Sequence, residues 1–300
     1  MEVDEGPGPS SAPPRVIIFV SSAAANIARR QALRKSWFRY LHDPSPLPLH
    51  LRDSVSIHFV MSQDAQSEAV AAEQAQYGDI VYVDAPQGYQ NLWRKALTFL
   101  SWLEARGEPY DYVMHADDDS FVRLDLLLPE MARWPRERLY WGYVWDGTGN
   151  RCTAPIRNPA NKSHMPEEQY PLDFYPPFAS GCGFALSRDL VAALLAQPLP
   201  DYRLLDPPFG IHLCGPPGYC VLPEGPLAPV HEERVRPYRP LPTFRPDTLV
   251  QHYLTAEEMR PFYEQALDAA RGGPSAQPSP ADSAPQQLYD TLVSLGLLRR

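Results

Sequence analysis

From Arg15 the chain runs Val16-Ile17-Ile18-Phe19-Val20 without a polar position, the pattern of a strand buried on both faces of a parallel sheet. Comparable runs follow at 56–61, 79–84 and 110–114, with the β-branched and aromatic content that suits a buried, pleated surface. Between these runs the period changes. Ile27, Arg30, Leu33, Arg34 and Trp37 stand at helical spacing, apolar and cationic stripes side by side, with Asn26 placed as an N-cap. Residues 67–76 read as an Ala/Glu/Gln-rich helix stopped by Gly78. Asn91 opens a further helix to Arg106, with Leu92, Ala96, Phe99, Leu100 and Leu103 on its inner face. Strand, helix, strand, helix with connections of this length predicts right-handed crossovers. The expected architecture is α/β, a doubly wound, mainly parallel central sheet with flanking helices.

Beyond residue 122 the pattern loosens. Residues 124–133 read as a helix and 139–144 as a strand; 146–177, rich in Gly, Pro and Asn, reads as a long ordered loop of the kind that carries function. The stretch 178–186 mixes small and apolar residues, and Gly181 and Gly183 within it point either to a ligand approaching the backbone or to a bulge. Ser187 or Asp189 caps a helix through Ala196. Residues 198–248 hold many prolines and little period. A last strand is expected at 249–254, carrying His252, before a helix opened by the capping box Thr255-Ala256-Glu257-Glu258. Residues 1–14 and 272–285 lack the apolar content to order themselves. Leu288, Leu292 and Leu295, at i, i+4 and i+7, suggest a short helix over 286–300. One folded domain over 15–271 is the expectation.

Composition supports that reading and narrows the partners. With 300 residues and 44% hydrophobic content the chain can build such a core. A net charge of −9 without a long Lys/Arg run argues against nucleic acid and for small molecules or neutral polymers. No apolar run approaches the roughly 20 residues of a membrane span, and the first residues lack a signal-peptide core, so the chain as it stands is expected to be soluble. Neither Gly-x-Gly-x-x-Gly nor a P-loop pattern occurs, which disfavours a dinucleotide fold and an NTPase. Cys152, Cys182, Cys214 and Cys220 show no zinc-site spacing. Cys214 and Cys220 could close a small loop, though buried free thiols fit as well. Asn161-Lys162-Ser163 is a glycosylation sequon, of use only in a lumenal chain.

The chemistry concentrates where the fourth apolar run meets Asp117-Asp118-Asp119. Ligands of open α/β sheets bind in the crevice beyond the carboxyl ends of the strands. Three adjacent carboxylates repel one another and call for solvent, donors or a cation. A hard divalent ion such as Mg²⁺ or Mn²⁺ takes one or two carboxylates together with substrate phosphates. On that reading Asp119 is on the metal and Asp117 on a ribose or a second metal contact. The plain alternative is a solvated acidic turn.

With these segments placed, the order of motifs resembles glycosyltransferase family 31, the β1,3-galactosyl- and N-acetylglucosaminyltransferases of GT-A fold, over roughly residues 15–271. The family's arginine-rich helix ending in Trp is matched by Arg29-Arg30-Gln31-Ala32-Leu33-Arg34-Lys35-Ser36-Trp37. Tyr77-Gly78-Asp79-Ile80 follows, then Tyr89, Asn91, Leu92 and Lys95. Asp117-Asp118-Asp119-Ser120-Phe121-Val122 matches the metal motif, Tyr175-Pro176-Pro177-Phe178-Ala179-Ser180-Gly181-Cys182-Gly183-Phe184 the acceptor-side element, and His252 to Met259 the late His with its acidic pair. The resemblance implies Asp119 and His252 as ligands of Mn²⁺ on a UDP diphosphate. It also implies that Asp117, Asp118, Gly181 and Gly183 hold the nucleotide sugar and that Arg30, Arg34 and Lys95 neutralise the diphosphate. The family's Glu-Asp-Val-x-x-Gly is replaced here by Leu205-Asp206-Pro207-Pro208-Phe209-Gly210, which leaves Asp206 as the candidate general base.

The implied function is an inverting hexosyltransferase moving galactose, with N-acetylglucosamine as second choice, from a UDP-sugar to the 3-hydroxyl of a glycan or glycoprotein acceptor. Its implied place is the Golgi lumen, with a membrane anchor lying outside this chain. Two other classes share the acidic motif. A sugar-nucleotide or glycan-binding module would keep it without turnover, and a metal-dependent phosphohydrolase would need a nucleophile that the sequence does not offer.

Overall fold

A computed structural model of the chain describes residues 12–239, 244–273 and 275. The expected helix at 286–300, most of the segments 1–14 and 272–285, and residues 240–243 lie outside the described residues. In chain order the elements are β1 (Val16–Ser21), α1 (Ile27–Arg34), α2 (Leu49–Arg52), β2 (Val55–Ser62), α3 (Glu68–Tyr77), β3 (Ile80–Val83), α4 (Leu92–Arg106), β4 (Tyr112–Asp117), β5 (Phe121–Val122) and α5 (Leu124–Met131). Then come β6 (Tyr140–Trp145), β7 (Phe178–Ser187), α6 (Arg188–Leu195), α7 (Asp206–Cys214), β8 (Val230–His231), β9 (Val235–Arg236), β10 (Val250–Gln251) and α8 (Ala256–Ala270).

The main sheet runs β3-β2-β1-β4-β7-β6-β8. Its first four strands are parallel. β7 is antiparallel to both β4 and β6, while β8 returns parallel to β6. The result is an α/β, doubly wound, mainly parallel sheet with flanking helices, as expected. β1 is an interior strand between β2 and β4, and its residues alternate between two cores. Val16, Ile18 and Val20 pack on the side of α1, α5 and α8, whereas Ile17 and Phe19 pack on the side of α4, α6 and α7. Burial on both faces is why the run has no polar position.

Caps fall where the sequence puts them in two cases: Gly78 ends α3 in the left-handed region, and Thr255 with Glu258 forms the full capping box. Ser67, read as the first residue of α3, is its N-cap and accepts from the Val70 amide. Asn26, Asn91 and Ser187 occupy N-cap positions without a side-chain cap bond. Asn26 turns to Asp118, Asn91 to the Gln87 carbonyl, and Ser187 takes the Leu139 amide.

Three expectations need correction. β4 carries on through Asp117, so the first carboxylate belongs to the strand and only Asp118 and Asp119 to the turn. Within 198–248, α7 forms around Pro207 and Pro208, which are tolerated in its first turn because amides there lack helical partners anyway. The last strand shrinks to Val250–Gln251 and His252 leaves it. The loop 146–177 is irregular as expected, braced by a bridge between Ile156 and His164. All four cysteines are thiols, including Cys214 and Cys220.

Candidate active site

The carboxyl ends of β1 and β4, the first turn of α7 and the segment after β10 surround a cavity of about 800 Å³. One end is polar, lined by Ser22, Asn26, Arg29, Lys95 and the Asp trio. The other is aromatic, with Trp145, Tyr175, Phe178 and Tyr238.

The acidic turn is held by its own backbone and by α1's extension: the Ser120 amide donates to the Asp117 carbonyl at 3.0 Å, and Trp37 Nε1 donates to the Ser120 carbonyl at 3.1 Å. A second, three-stranded sheet then sets the partner of the turn. β5, just after the trio, pairs antiparallel with β10 through Val122 with Val250 and Phe121 with Gln251. The next residue, His252, is thereby placed beside Asp119. The Leu254 amide, bonded to the Asp119 carbonyl at 3.0 Å, closes the arrangement.

Asp117, Asp119 and His252 offer ligand atoms that all lie within 4.8 Å of one another. His252 Nε2 is 3.4 Å from Asp117 Oδ2 and 3.1 Å from Asp119 Oδ1. Its Nδ1 donates to the Pro237 carbonyl at 3.2 Å, so Nε2 faces two carboxylates with either a second proton or a lone pair for a cation. A carbonyl holding the far nitrogen is the usual support of a metal-ligating histidine. Burial opposes the charged imidazole, but the bond to Asp119 and the charges of Asp117 and Asp119 outweigh it and raise the His252 pKa. Burial likewise opposes ionised Asp119, yet His252 and Arg29 hold its pKa below the ordinary value. Asp117 goes the other way, pushed up to about 8 by burial and by the neighbouring carboxylates despite His252. With Asp117 ionised as well, the set would carry more negative charge than its protein partners balance, and two carboxylates with one imidazole could hold a divalent cation. The Tyr253 ring stacks on the imidazole at 3.8 Å, from a backbone at φ 59° that non-glycine residues rarely adopt.

Asp118 is turned away from this group. Its Oδ2 accepts from Ser22 Oγ and Asn26 Nδ2, both at 2.8 Å, and its Oδ1 accepts from Arg29 Nη1 at 2.8 Å. Lys95 lines the same end; its Nζ donates to the Ser22 carbonyl at 3.2 Å, and burial lowers its pKa against the pull of Asp118. Arg30 and Arg34 do not join the cavity. They pair with Glu73 and Asp79, and Arg30 touches the cavity only indirectly, its Nη1 donating to Ser22 Oγ at 3.1 Å.

Asp206, the first residue of α7, lines the same cavity. Its Oδ2 accepts the Gly181 amide at 2.7 Å. Burial pushes its pKa up to about 6, opposed by that amide and by His252. Gly181 and Gly183 are small for the protein's own contacts: a Cβ at 181 would stand 2.3 Å from Asp206 Oδ1, and one at 183 would stand 3.0 Å from Val250. Over the top, the long loop reaches the start of α4, with Lys162 Nζ 5.2 Å above the Tyr89 ring.

Sequence reasoning named Asp117, Asp119, His252, Asp206 and Lys95 among the residues that meet here. It missed Arg29 and Ser22 and read Asn26 as a cap. Arg29 differs from Arg30 only in helical phase, and that phase, 100° off the buried face, was the available signal.

A family model described as Galactosyltransferase matches residues 28–199. β-1,3-Galactosyltransferase 6 of Mus musculus is 36% identical over 179 residues, which cover 58% of this chain and 51% of the relative. β-1,3-Galactosyltransferase 1 of Homo sapiens is 30% identical over 203 residues, covering 64% and 56%. The chain thus spans about half the length of the curated relatives it matches. A mannosyltransferase from Pyrobaculum calidifontis, solved with GDP-mannose and Mn²⁺, is similar at 16% identity and a TM-score of 0.34 over 100% of this chain and 85% of that one. A likeness that slight adds nothing to what the strand order already gives.

Proposed function

This chain belongs to the galactosyltransferase family, and we propose that it transfers galactose, with N-acetylglucosamine as second choice, from a UDP-sugar to the 3-hydroxyl of an acceptor glycan, with inversion. The observation that carries this reading is one cavity lined both by the group Asp117, Asp119 and His252 and by the carboxylate of Asp206. Asp117, Asp119 and His252 are the residues that would hold Mn²⁺, which when bound supplies positive charge to the departing diphosphate. Arg29 and Lys95 line the same end and add protein cations there. Asp118, held by Ser22, Asn26 and Arg29, shapes the wall beside them.

Asp206 takes the proton of the acceptor hydroxyl as its oxygen attacks the anomeric carbon and the bond to the diphosphate breaks. A carboxylate with a pKa near 6 is ionised at neutral pH and still basic enough to take a proton. This supports one acid in place of the family's acidic pair. The aromatic end, with Trp145, Tyr175 and Tyr238, offers flat apolar faces suited to a sugar ring of the acceptor.

The kinship supports, as part of the same proposal, a place in the Golgi lumen and a part in protein glycosylation. Among the described residues no helix is long and apolar enough to cross a membrane. The test is UDP release from a panel of UDP-sugars, with and without Mn²⁺ and mixed acceptors, and linkage analysis of the product. Release that needs both metal and acceptor and is fastest with UDP-galactose is expected. UDP binding without release would instead leave a sugar-nucleotide-binding module.

A further inference from the structure

We infer that His115 is a positioning residue for Asp206, acting through Gly181; the inference rests on the reading of Asp206 as the base. His115 is in β4, two residues before Asp117, and is fully buried. Both ring nitrogens are engaged. Nδ1 is 2.6 Å from the Gly181 carbonyl and Nε2 is 3.0 Å from Ser21 Oγ. A carbonyl only accepts, so Nδ1 carries the proton and Nε2 accepts from the Ser21 hydroxyl.

The ladder explains why Gly181 needs this partner. β4 and β7 pair from Tyr112 with Ser187 to Ala116 with Gly183. The pairing with β7 stops at Ala116, one residue before β4 itself ends at Asp117, and the Gly181 carbonyl meets the His115 imidazole instead of a backbone amide of β4. The same Gly181 donates its amide to Asp206 Oδ2 at 2.7 Å. One residue of β7 is therefore gripped twice, its carbonyl by the strand that leads into the metal-binding turn and its amide by the base. Gly181 also has no side chain to hold Asp206 off, since a Cβ there would meet the carboxylate.

The surroundings make a packing role alone an inadequate explanation. The imidazole is stacked on Phe184 at 5.4 Å and meets the edge of Phe19 at 4.8 Å. Phenylalanine would fill that slot without taking a polar ring out of water. What it would lose is the hold on Gly181. A freed Gly181 lets its amide, and with it the Asp206 carboxylate, shift relative to Asp117 and Asp119, and a base displaced by a fraction of an ångström loses rate without losing donor affinity.

The test compares H115F, which keeps the volume and removes the donor, with H115N, whose amide nitrogen can stand close to where Nδ1 stands. Three quantities are read: UDP–Mn²⁺ affinity by calorimetry, kcat for transfer, and amide hydrogen exchange at Gly181 against Ala185 of the same strand. For H115F we expect affinity within about twofold of the parent, Gly181 exchange faster with Ala185 unchanged, and kcat down at least about tenfold, part of the roughly 10²–10⁴ a positioned base supplies. H115N should restore most of the kcat and the Gly181 protection. Unchanged kcat, unchanged Gly181 exchange, affinity falling in step with kcat, or H115N no better than H115F would each overturn the inference. If H115F does not fold, H115L takes its place as the donor-free variant. If the parent transfers no sugar, the functional reading fails and exchange alone decides: faster exchange at Gly181 in H115F keeps His115 as its anchor, and unchanged exchange removes it.

Discussion

Helix α1 serves two acidic clusters, one on each side, and they are built on opposite terms. On the α3 side Arg30 is fully buried and bonds Glu73 at 2.9 and 2.6 Å. Arg34 bonds Glu73 at 2.6 Å and Asp79 at 2.7 Å through two nitrogens. Two cations meet two anions. Burial works against the Glu73 carboxylate, but both guanidiniums outweigh it and hold its pKa below the ordinary value. On the cavity side Asp117, Asp118, Asp119 and Asp206 face Arg29, Lys95 and His252, and burial pushes Asp117 to about 8 and Asp206 to about 6. A cluster that completes its own charge balance locks two helices together. One left short of positive charge could take a cation and a proton-donating substrate group.

The comparison breaks first if the cavity-side cluster takes no cation. Asp119→Ala should abolish Mn²⁺-dependent UDP binding and leave the thermal midpoint near that of the parent, because Asp119 belongs to a turn held by backbone bonds. Calorimetry with and without Mn²⁺ decides it, and a variant that binds as tightly as the parent removes the metal assignment. Next in size is Asp206→Asn, for which transfer should fall by roughly 10²–10⁴ with UDP–Mn²⁺ affinity unchanged. The parent's kcat/KM should rise with pH through about 6 as the Asp206 carboxyl ionises, since only the ionised form accepts a proton. D206N should lack that limb, and a parental rate in D206N would place the base elsewhere.

The balanced cluster should fail differently. Glu73→Ala leaves Arg30 buried without its counter-ion, a loss of about 3–5 kcal/mol. Denaturant unfolding should register that loss, while UDP–Mn²⁺ affinity stays within a few-fold. The pH dependence has a defined sign: a carboxylate whose folded pKa is depressed stabilises fully above its unfolded value near ~4.3 and stops doing so as pH falls through the folded one. Parent and E73A should therefore converge in acid. An affinity loss in E73A matching that of D119A would merge the two clusters into one.

The difference between the clusters also explains what was legible beforehand. The four parallel strands could be read because burial on both faces writes an unbroken apolar run. The acidic trio could be read because adjacent carboxylates need a partner wherever they sit. α7 was hidden: it is buried on nearly all sides, so Asp206 to Cys214 show no amphipathic period, and two prolines mask its start. His252 came to Asp119 through pairs between two-residue strands, too short to write any pattern. Arg30 and Arg34 were read as diphosphate cations because their type and helical spacing suit that task equally well. Only the positions of Glu73 and Asp79, brought alongside by α3 and the turn after it, decide that their guanidiniums point the other way.

Arg29 is the residue on which the comparison turns most finely, and its variant has the smallest expected effect. It shares a helix and a chemistry with Arg30 one position on, yet its side chain is 43% exposed where that of Arg30 is fully buried. It holds Asp118 at 2.8 Å and reaches Asp119 at 3.3 Å. With Arg29 removed, Asp118 keeps Ser22 and Asn26, and an ion pair this exposed contributes about 0–1 kcal/mol to the fold. Arg29→Ala should therefore leave the unfolding midpoint nearly unchanged. A diphosphate drawn to this end would lose one partly solvated cation, which weakens UDP–Mn²⁺ binding several-fold, and the gap from the parent should narrow as salt screens the charge. Arg30→Ala should do the reverse, with a large loss of stability and little change in binding among molecules that remain folded. If R29A instead unfolds as readily as R30A while binding UDP like the parent, the two sides of α1 are one structural network, and the polar end of the cavity loses its claim to the diphosphate.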